Sequence, residues 1–216
     1  MTSKLLWATV TIVLAVLVVM PLGWLIVKSF QTDAGTSLAN YAAIGSLRPF
    51  RIATMNSLVF GIASSLIGLV LGAPMAWAVS RTNMPFRGLV RAGVLGAFVT
   101  PGFVLAVAWI LLAGPNAGLL NKLWVAVTGA AKGPLDVYTM TGLVLVSVAS
   151  TFPLAFILIY NTLEMMSSDV EEAARVLGAG TARVTWTVTL PLALPAVVAS
   201  VILMFLETII LYGVPA

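Results

Sequence analysis

The sequence predicts an all-α fold, a polytopic transmembrane helical bundle. Of its 216 residues, 61% are hydrophobic and 8% charged, with a mean hydropathy of +1.11. An ordinary soluble domain carries about 25% charged residues. Apolar runs such as Leu5–Val27 are too long for strands and match the ~20 residues that a helix needs to cross the hydrocarbon core. Cysteine and histidine are absent, which removes disulfides, thiolate metal sites and the commonest general base. No catalytic or metal-ligating residue is assigned. The net charge of +4 is spread along the loops. It bears on orientation and gives no clustered basic face for nucleic acid.

The elements follow in order. Leu5–Val27 is the first span, with Pro21 and Gly23 near its end as a possible kink. It is too long for a signal peptide and no small-residue cleavage site follows it. Lys28–Met55 reads as a polar linker, with Leu38–Ile44 as a short surface helix. Together, residues 1–55 form one region and 56–216 a core domain. The second span runs from about Ser57 to Val79. Gly68 and Gly72 in it have a GxxxG spacing, which marks either a close helix contact or ordinary span composition; composition alone favours the latter. Arg81–Arg91 is a short loop with three arginines and no acid, the clearest sign of a cytoplasmic loop. Val90–Ala113 is the third span, and Thr100-Pro101-Gly102 should kink it. The kink either lines a substrate path or serves packing. Gly114–Thr139 is a longer connection with an amphipathic helix over Leu119–Val127. Met140–Leu163 is the fourth span and Leu190–Leu211 the fifth. With Arg81–Arg91 cytoplasmic, the N-terminus and the loop at 168–191 are inside as well, with an odd number of spans in all. Lys28–Met55 and Gly114–Thr139 are then outside.

That last loop is the long polar interruption of the second half. Ser168 and Glu171 have the spacing of a capping box. Val170, Ala173, Ala174 and Leu177 form one apolar stripe. Glu171 and Arg175 make an i,i+4 surface pair worth a few tenths of a kcal/mol. Glu172 falls opposite the stripe. Gly178 and Gly180 end the helix, and a second short helix from Thr181 runs to Leu190-Pro191.

Glu172-Ala173-Ala174, three residues, Gly178, then Leu190-Pro191 after a fixed spacing resembles the EAA loop of binding-protein-dependent ABC importer permeases. Val188 stands where that family has isoleucine. Asn56-Ser57-Leu58 and Ser80-Arg81-Thr82 are similar to the same family, so the likeness covers most of the chain from Asn56. The resemblance implies the type I importer permease fold in a bacterial inner membrane. It implies that Glu172, Ala173, Ala174, Gly178, Leu190 and Pro191 couple the permease to a cytoplasmic ABC ATPase dimer. A periplasmic binding protein, membrane lipid and a second permease domain are the other implied partners. No cofactor belongs to this chain. It has no G-x-x-x-x-G-K-[ST] sequence, so ATP and Mg belong to the ATPase.

Glu207 is the one charge inside a span. It lies 17 residues beyond Leu190, about 25 Å along a helix at 1.5 Å per residue. That is near the outer end. A carboxylate there faces a translocation path or reaches the interface. The segment Glu207–Ala216 is similar to the ferric-iron type permeases, which makes ferric iron the first expectation for cargo. Polyamine, thiamine and phosphonate importers are the near alternatives. An ion-coupled secondary transporter using Glu207, and a membrane anchor without transport, are the rivals of another class. The chain is also expected to be part of a longer protein, because the family usually adds a further span.

Overall fold

The computed structural model describes residues 2–32, 35–167 and 169–210. The chain divides into two compact units, Met1–Met55 and Asn56–Ala216. In the first, α1 (Thr2–Phe30) continues through Pro21. Its final turn leads into a two-residue antiparallel ladder, β1 (Gln31–Thr32) against β2 (Gly35–Thr36). Helix α2 (Ala39–Ser46) follows. Asn40 Nδ2 donates to the Ser29 and Gln31 carbonyls at 3.1 and 2.9 Å, and Tyr41 donates to Ser29 Oγ at 2.6 Å. The two Asn40 bonds satisfy carbonyls at and just beyond the end of α1.

Helix α3 (Arg48–Arg81) starts well before the expected Ser57. Pro49 lies in its first turn, where a missing N–H costs nothing, and no glycine or proline follows until Gly61. The polar linker is correspondingly shorter. The second unit continues with α4 (Arg87–Val99), α5 (Gly102–Ala113), α6 (Leu119–Thr128) and α7 (Met140–Met165). The polar loop contains α8 (Asp169–Val176) and leads into α9 (Thr181–Val184), a π-helical turn (Thr185–Thr189) and α10 (Leu190–Ile210).

Among the described residues, four helical segments are long and apolar enough to cross a membrane, namely Lys4–Phe30, Arg48–Arg81, Met140–Met165 and Thr181–Ile210. The expected third span is not one kinked helix. It is α4 and α5, bent by 104° at Thr100-Pro101. Thr100, preceding a proline, is held extended at φ −70°, ψ 124°, because the proline ring disfavours helical backbone in the residue before it.

Packing of α3 against α7 fixes the topology. Phe60 clusters with Val144 and Val148. A Cβ on Gly68 would lie 3.7 Å from Phe152 Cα, and one on Gly72 would lie 2.7 Å from the Phe152 carbonyl and 2.8 Å from Ala155 Cβ. Arg81 Nη2 reaches the Leu163 carbonyl. Numbers rise together on both helices, so they are parallel. The connection between them must therefore cross the bilayer once. The bent pair does so: Arg91 on α4 contacts Tyr160, whereas Trp109 on α5 packs on Val137 and Val146. Tyr160 and Val146 are 14 residues apart on α7, about 21 Å. Helix α10 runs the other way, with Met204 opposite Gly68 and Phe205 and Ile209 opposite Gly61.

The GxxxG pair is thus a true helix seam. Gly68 and Gly72 are both buried, and no side chain fits between Gly72 and the α7 backbone. The core around it holds Ala76, Val79, Val94, Ala155, Phe156, Ile159 and Met204. Lipid supplies no hydrophobic drive between spans, so such close backbone contact carries the association. At the other end, Asn121 organises the connection between α6 and α7. It is buried, donates to the Gly114 and Leu135 carbonyls at 2.9 and 2.8 Å and accepts from Leu135 N–H at 3.0 Å.

Two outcomes test this arrangement. Gly72→Val forces α3 and α7 apart and should cost about 1–3 kcal/mol or more. Gly96→Ala, where a Cβ meets nothing within 4 Å, should leave the melting temperature of the detergent-solubilised protein unchanged or raise it. Equal melting temperatures for wild type and Gly72→Val would refute the seam. Single cysteines at Ala117 and Ala179 then report sidedness in a chain with no others. An impermeant thiol reagent on intact cells should label Ala117→Cys and spare Ala179→Cys; the reverse pattern inverts the topology.

Candidate functional site

The polar loop is one defined helix followed by a tight stop. Ser167 Oγ accepts from the Asp169 N–H at 3.2 Å; Ser168, the expected capping residue, lies outside the described residues. Asp169, Glu171 and Glu172 fill the first turn of α8 and Arg175 the last, so each charge has the sign that the helix dipole favours at its end. Gly178 then takes φ +86°. Its N–H donates to the Arg175 carbonyl at 2.9 Å, while Ala179 N–H donates to the Ala174 carbonyl at 3.1 Å. This pair of bonds is a Schellman stop, which needs a residue without a Cβ penalty at the left-handed position.

The orientation of α8 differs from the expected one. The apolar stripe does not pack inward: Val170 is 53% and Leu177 88% exposed, and Ala173 is exposed as well. Glu172 and Arg175 also face outward. Glu171, expected on a surface flank paired with Arg175, is instead the one buried residue of the helix, 4% exposed. Its Oε1 accepts from Arg81 Nε at 3.0 Å and from Thr189 Oγ1 at 2.9 Å. This is the one ion pair among the described residues.

The reason is a competition between a stripe and a charge. Three or four small apolar side chains offer little burial, each worth ~0.8 kcal/mol per CH2. A guanidinium at the end of α3 offers a charge-assisted bond in a water-poor site. Arg81 also donates from Nη2 to the Leu163 carbonyl at 2.8 Å, a second bond to a carbonyl in the last turn of α7 that already accepts from the Met166 N–H at 3.3 Å. Removing one member of so buried a pair typically costs about 3–5 kcal/mol.

Leu190-Pro191 is not the end of a separate short helix. Thr181–Ile210 is one continuous helical span. Leu190 N–H donates to the Thr185 carbonyl, an i to i−5 bond. Pro191 supplies no N–H, and its ring would clash with the carbonyl four residues earlier in a regular helix. Widening by one residue relieves that conflict. The turn also presents Thr189 to Glu171. A cleft of about 270 Å³ opens beside it, lined by Trp77, Leu163, Trp186, Leu190 and Ala193 among others.

Of the sequence-predicted site residues, Glu172, Ala173, Ala174 and Gly178 lie together on α8 and its stop, and Leu190 and Pro191 lie at the start of α10. Pro101 starts α5 and is exposed. Glu207 is half-buried on α10, and its Oε2 is buried without a hydrogen-bond partner, as are the hydroxyls of Ser64 and Ser147. The Gly-x-Pro-Ala end of its segment lies outside the described residues. Sequence reading used Arg81 only for sidedness and family likeness, not as a partner of the polar loop, and did not single out Thr189; the arginine at the end of a span beside an acid-rich loop was the available signal.

The family described as "Binding-protein-dependent transport system inner membrane component" matches residues 65–216. The Molybdenum transport system permease protein ModB of Haemophilus influenzae is 32% identical over 157 residues, 73% of this chain and 66% of that protein. The Diacetylchitobiose uptake system permease protein NgcG of Streptomyces coelicolor is 28% identical over 89% of this chain and 61% of its own length. A putative 2-aminoethylphosphonate transport system permease protein, PhnU of Salmonella typhi, is 29% identical over 97% of this chain and 73% of its own length. The chain thus spans just under two thirds of the length of the first two. A crystal structure of a bacterial ABC transporter involved in alginate import matches with a TM-score of 0.71 over 97% of this chain and 75% of that chain, at 14% identity. At that identity the likeness concerns the fold.

Proposed function

The chain belongs to the family of binding-protein-dependent transport system inner membrane components, and from that premise we propose that it is the membrane-spanning permease subunit of an ABC importer. It performs no chemistry. A periplasmic binding protein delivers a small solute, a cytoplasmic ABC ATPase dimer hydrolyses ATP, and a second permease domain completes the path. The observation that carries this reading is the exposed face of α8. Val170, Ala173, Val176 and Leu177 are turned outward together with Glu172 and Arg175, on a helix that shares its side of the bilayer with Arg81. An apolar ridge flanked by one acid and one base, held in water, suits a groove on a soluble partner.

In the mechanism, ATP-driven closure of the partner displaces α8, and the spans alternate the access of a central path. Glu207 belongs to that path in this reading, since a carboxylate inside a span is costly unless a partner or a water-filled path receives it, and its Oε2 has no hydrogen-bond partner among the described residues. Pro101, at the break between α4 and α5, is the second path residue. For cargo, the names of the relatives make molybdate and 2-aminoethylphosphonate the first solutes to test. Ferric iron, the expectation from the segment after Glu207, is the third. Among the described residues no group of three or more acidic, histidine or cysteine side chains is placed to hold a metal ion.

Glu172→Ala and Gly178→Val should each weaken retention of a co-expressed ABC ATPase at least tenfold, with the spans still inserted. The charge-assisted contact and the left-handed stop are each worth about 1–3 kcal/mol. Glu164→Ala, at the exposed end of α7, is the control. Equal retention by all three variants would exclude α8 as the docking element. Glu207→Gln should lower uptake of whichever of the three solutes the wild-type proteoliposomes accumulate, with the amount of assembled complex constant. Unchanged uptake would remove Glu207 from the path.

A further inference from the structure

We infer that Glu171 is a positioning residue which makes α8 move as one body with the inner ends of α3, α7 and α10. The inference deepens the proposed function, because it rests on α8 being where the ATPase is received.

The argument starts from what holds α8 in place. Glu171 is the one residue of this helix that is buried, so apolar packing does not anchor it. The connection that follows fixes only its own turn: Gly178 closes the Schellman stop, and neither it nor Gly180 carries a side chain that could pack α8 against the spans. A helix tethered only by such a loop would pivot when pushed, and the push would be lost. One carboxylate oxygen replaces packing here. It takes a bond from Arg81, 90 residues earlier in sequence, and one from Thr189, 18 residues later. The same guanidinium holds the Leu163 carbonyl. Four elements therefore meet at two side chains.

The chemistry suits transmission. A guanidinium donates from nitrogens in fixed directions, so rotating α8 about its own axis breaks the Nε bond before any apolar contact is lost. Both charges are nearly dry, with side chains 14% and 5% exposed, so water does not replace the broken bond cheaply. Thr189 sits in the π turn, so displacement of α8 pulls directly on the start of α10. Arg81→Lys would keep a charge and lose the geometry.

The test uses the full chain in lipid nanodiscs without any ATPase. Nitroxide labels are placed at Val176→Cys, exposed on α8, and Met140→Cys, exposed at the far end of α7, and their separation is read by pulsed electron–electron double resonance. The wild-type chain should give a single narrow distance distribution. Glu171→Ala and Arg81→Met should each broaden it at least twofold, and the exchange Arg81→Glu with Glu171→Arg should narrow it again. Thr189→Val, which buries no lone charge, should broaden it by a smaller amount and covers the case where the charge variants fail to fold. Distributions as narrow as wild type in Thr189→Val and in any folded charge variant would overturn the inference. With ATPase then added, Glu171→Ala should retain docking while hydrolysis proceeds at least tenfold in excess of uptake. Failure of the wild-type chain to bind ATPase would sink the proposed function and leave the spectroscopic result standing by itself.

Discussion

The contact on which this molecule depends is the one between Gly72 and the backbone of α7. In a bilayer the helices satisfy their own hydrogen bonds and gain nothing from hiding leucine from lipid, so what brings spans together is how near their backbones come. Because Gly72 meets Phe152, Ala155 and Phe156 without a side chain between, α3 and α7 lie parallel and in register. From that register follows a crossing by the broken pair α4–α5. It also follows that the end of α3 stands beside the loop after α7. Without it Arg81 would not reach Glu171.

Two kinds of anchoring divide the second unit. Within the membrane the helices meet through small residues and a continuous apolar core. Outside it the polar loop is anchored by one ion pair, and its apolar residues are left free. In the outer connection Asn121 adds three hydrogen bonds to the apolar packing of Val137 on Trp109 and Val146.

The fold class was legible because hydropathy over long runs leaves few solutions, and the family because two blocks of residues at a fixed spacing are rarely accidental. What was not legible depended on partners far away in sequence. The period of Val170, Ala173, Ala174 and Leu177 correctly announced a helix, but periodicity assumes that the apolar side goes inward. A guanidinium 90 residues away reversed it, and no local pattern encodes that. The early start of α3 escaped for the opposite reason: residues 48–56 look polar, but a helix already nucleated by Pro49 has no cause to stop. At Thr100-Pro101 the expected kink was a full break, and at Pro191 the expected break was a continuous helix. The same residue type gave opposite results because one proline follows an extended threonine and the other is absorbed by a widened turn.

That widened turn has a mechanical meaning. Because Thr181–Ile210 is unbroken over 30 residues, it is a rod about 45 Å long, gripped near one end by Thr189 and carrying Glu207 near the other. Its contact with α3 lies at the far end, where Met204 faces Gly68 and Phe205 and Ile209 face Gly61, so a rod braced there has one long arm, on the side of the polar loop. Glu207 lies at the brace itself, so a wide swing outside the membrane would leave the carboxylate almost in place.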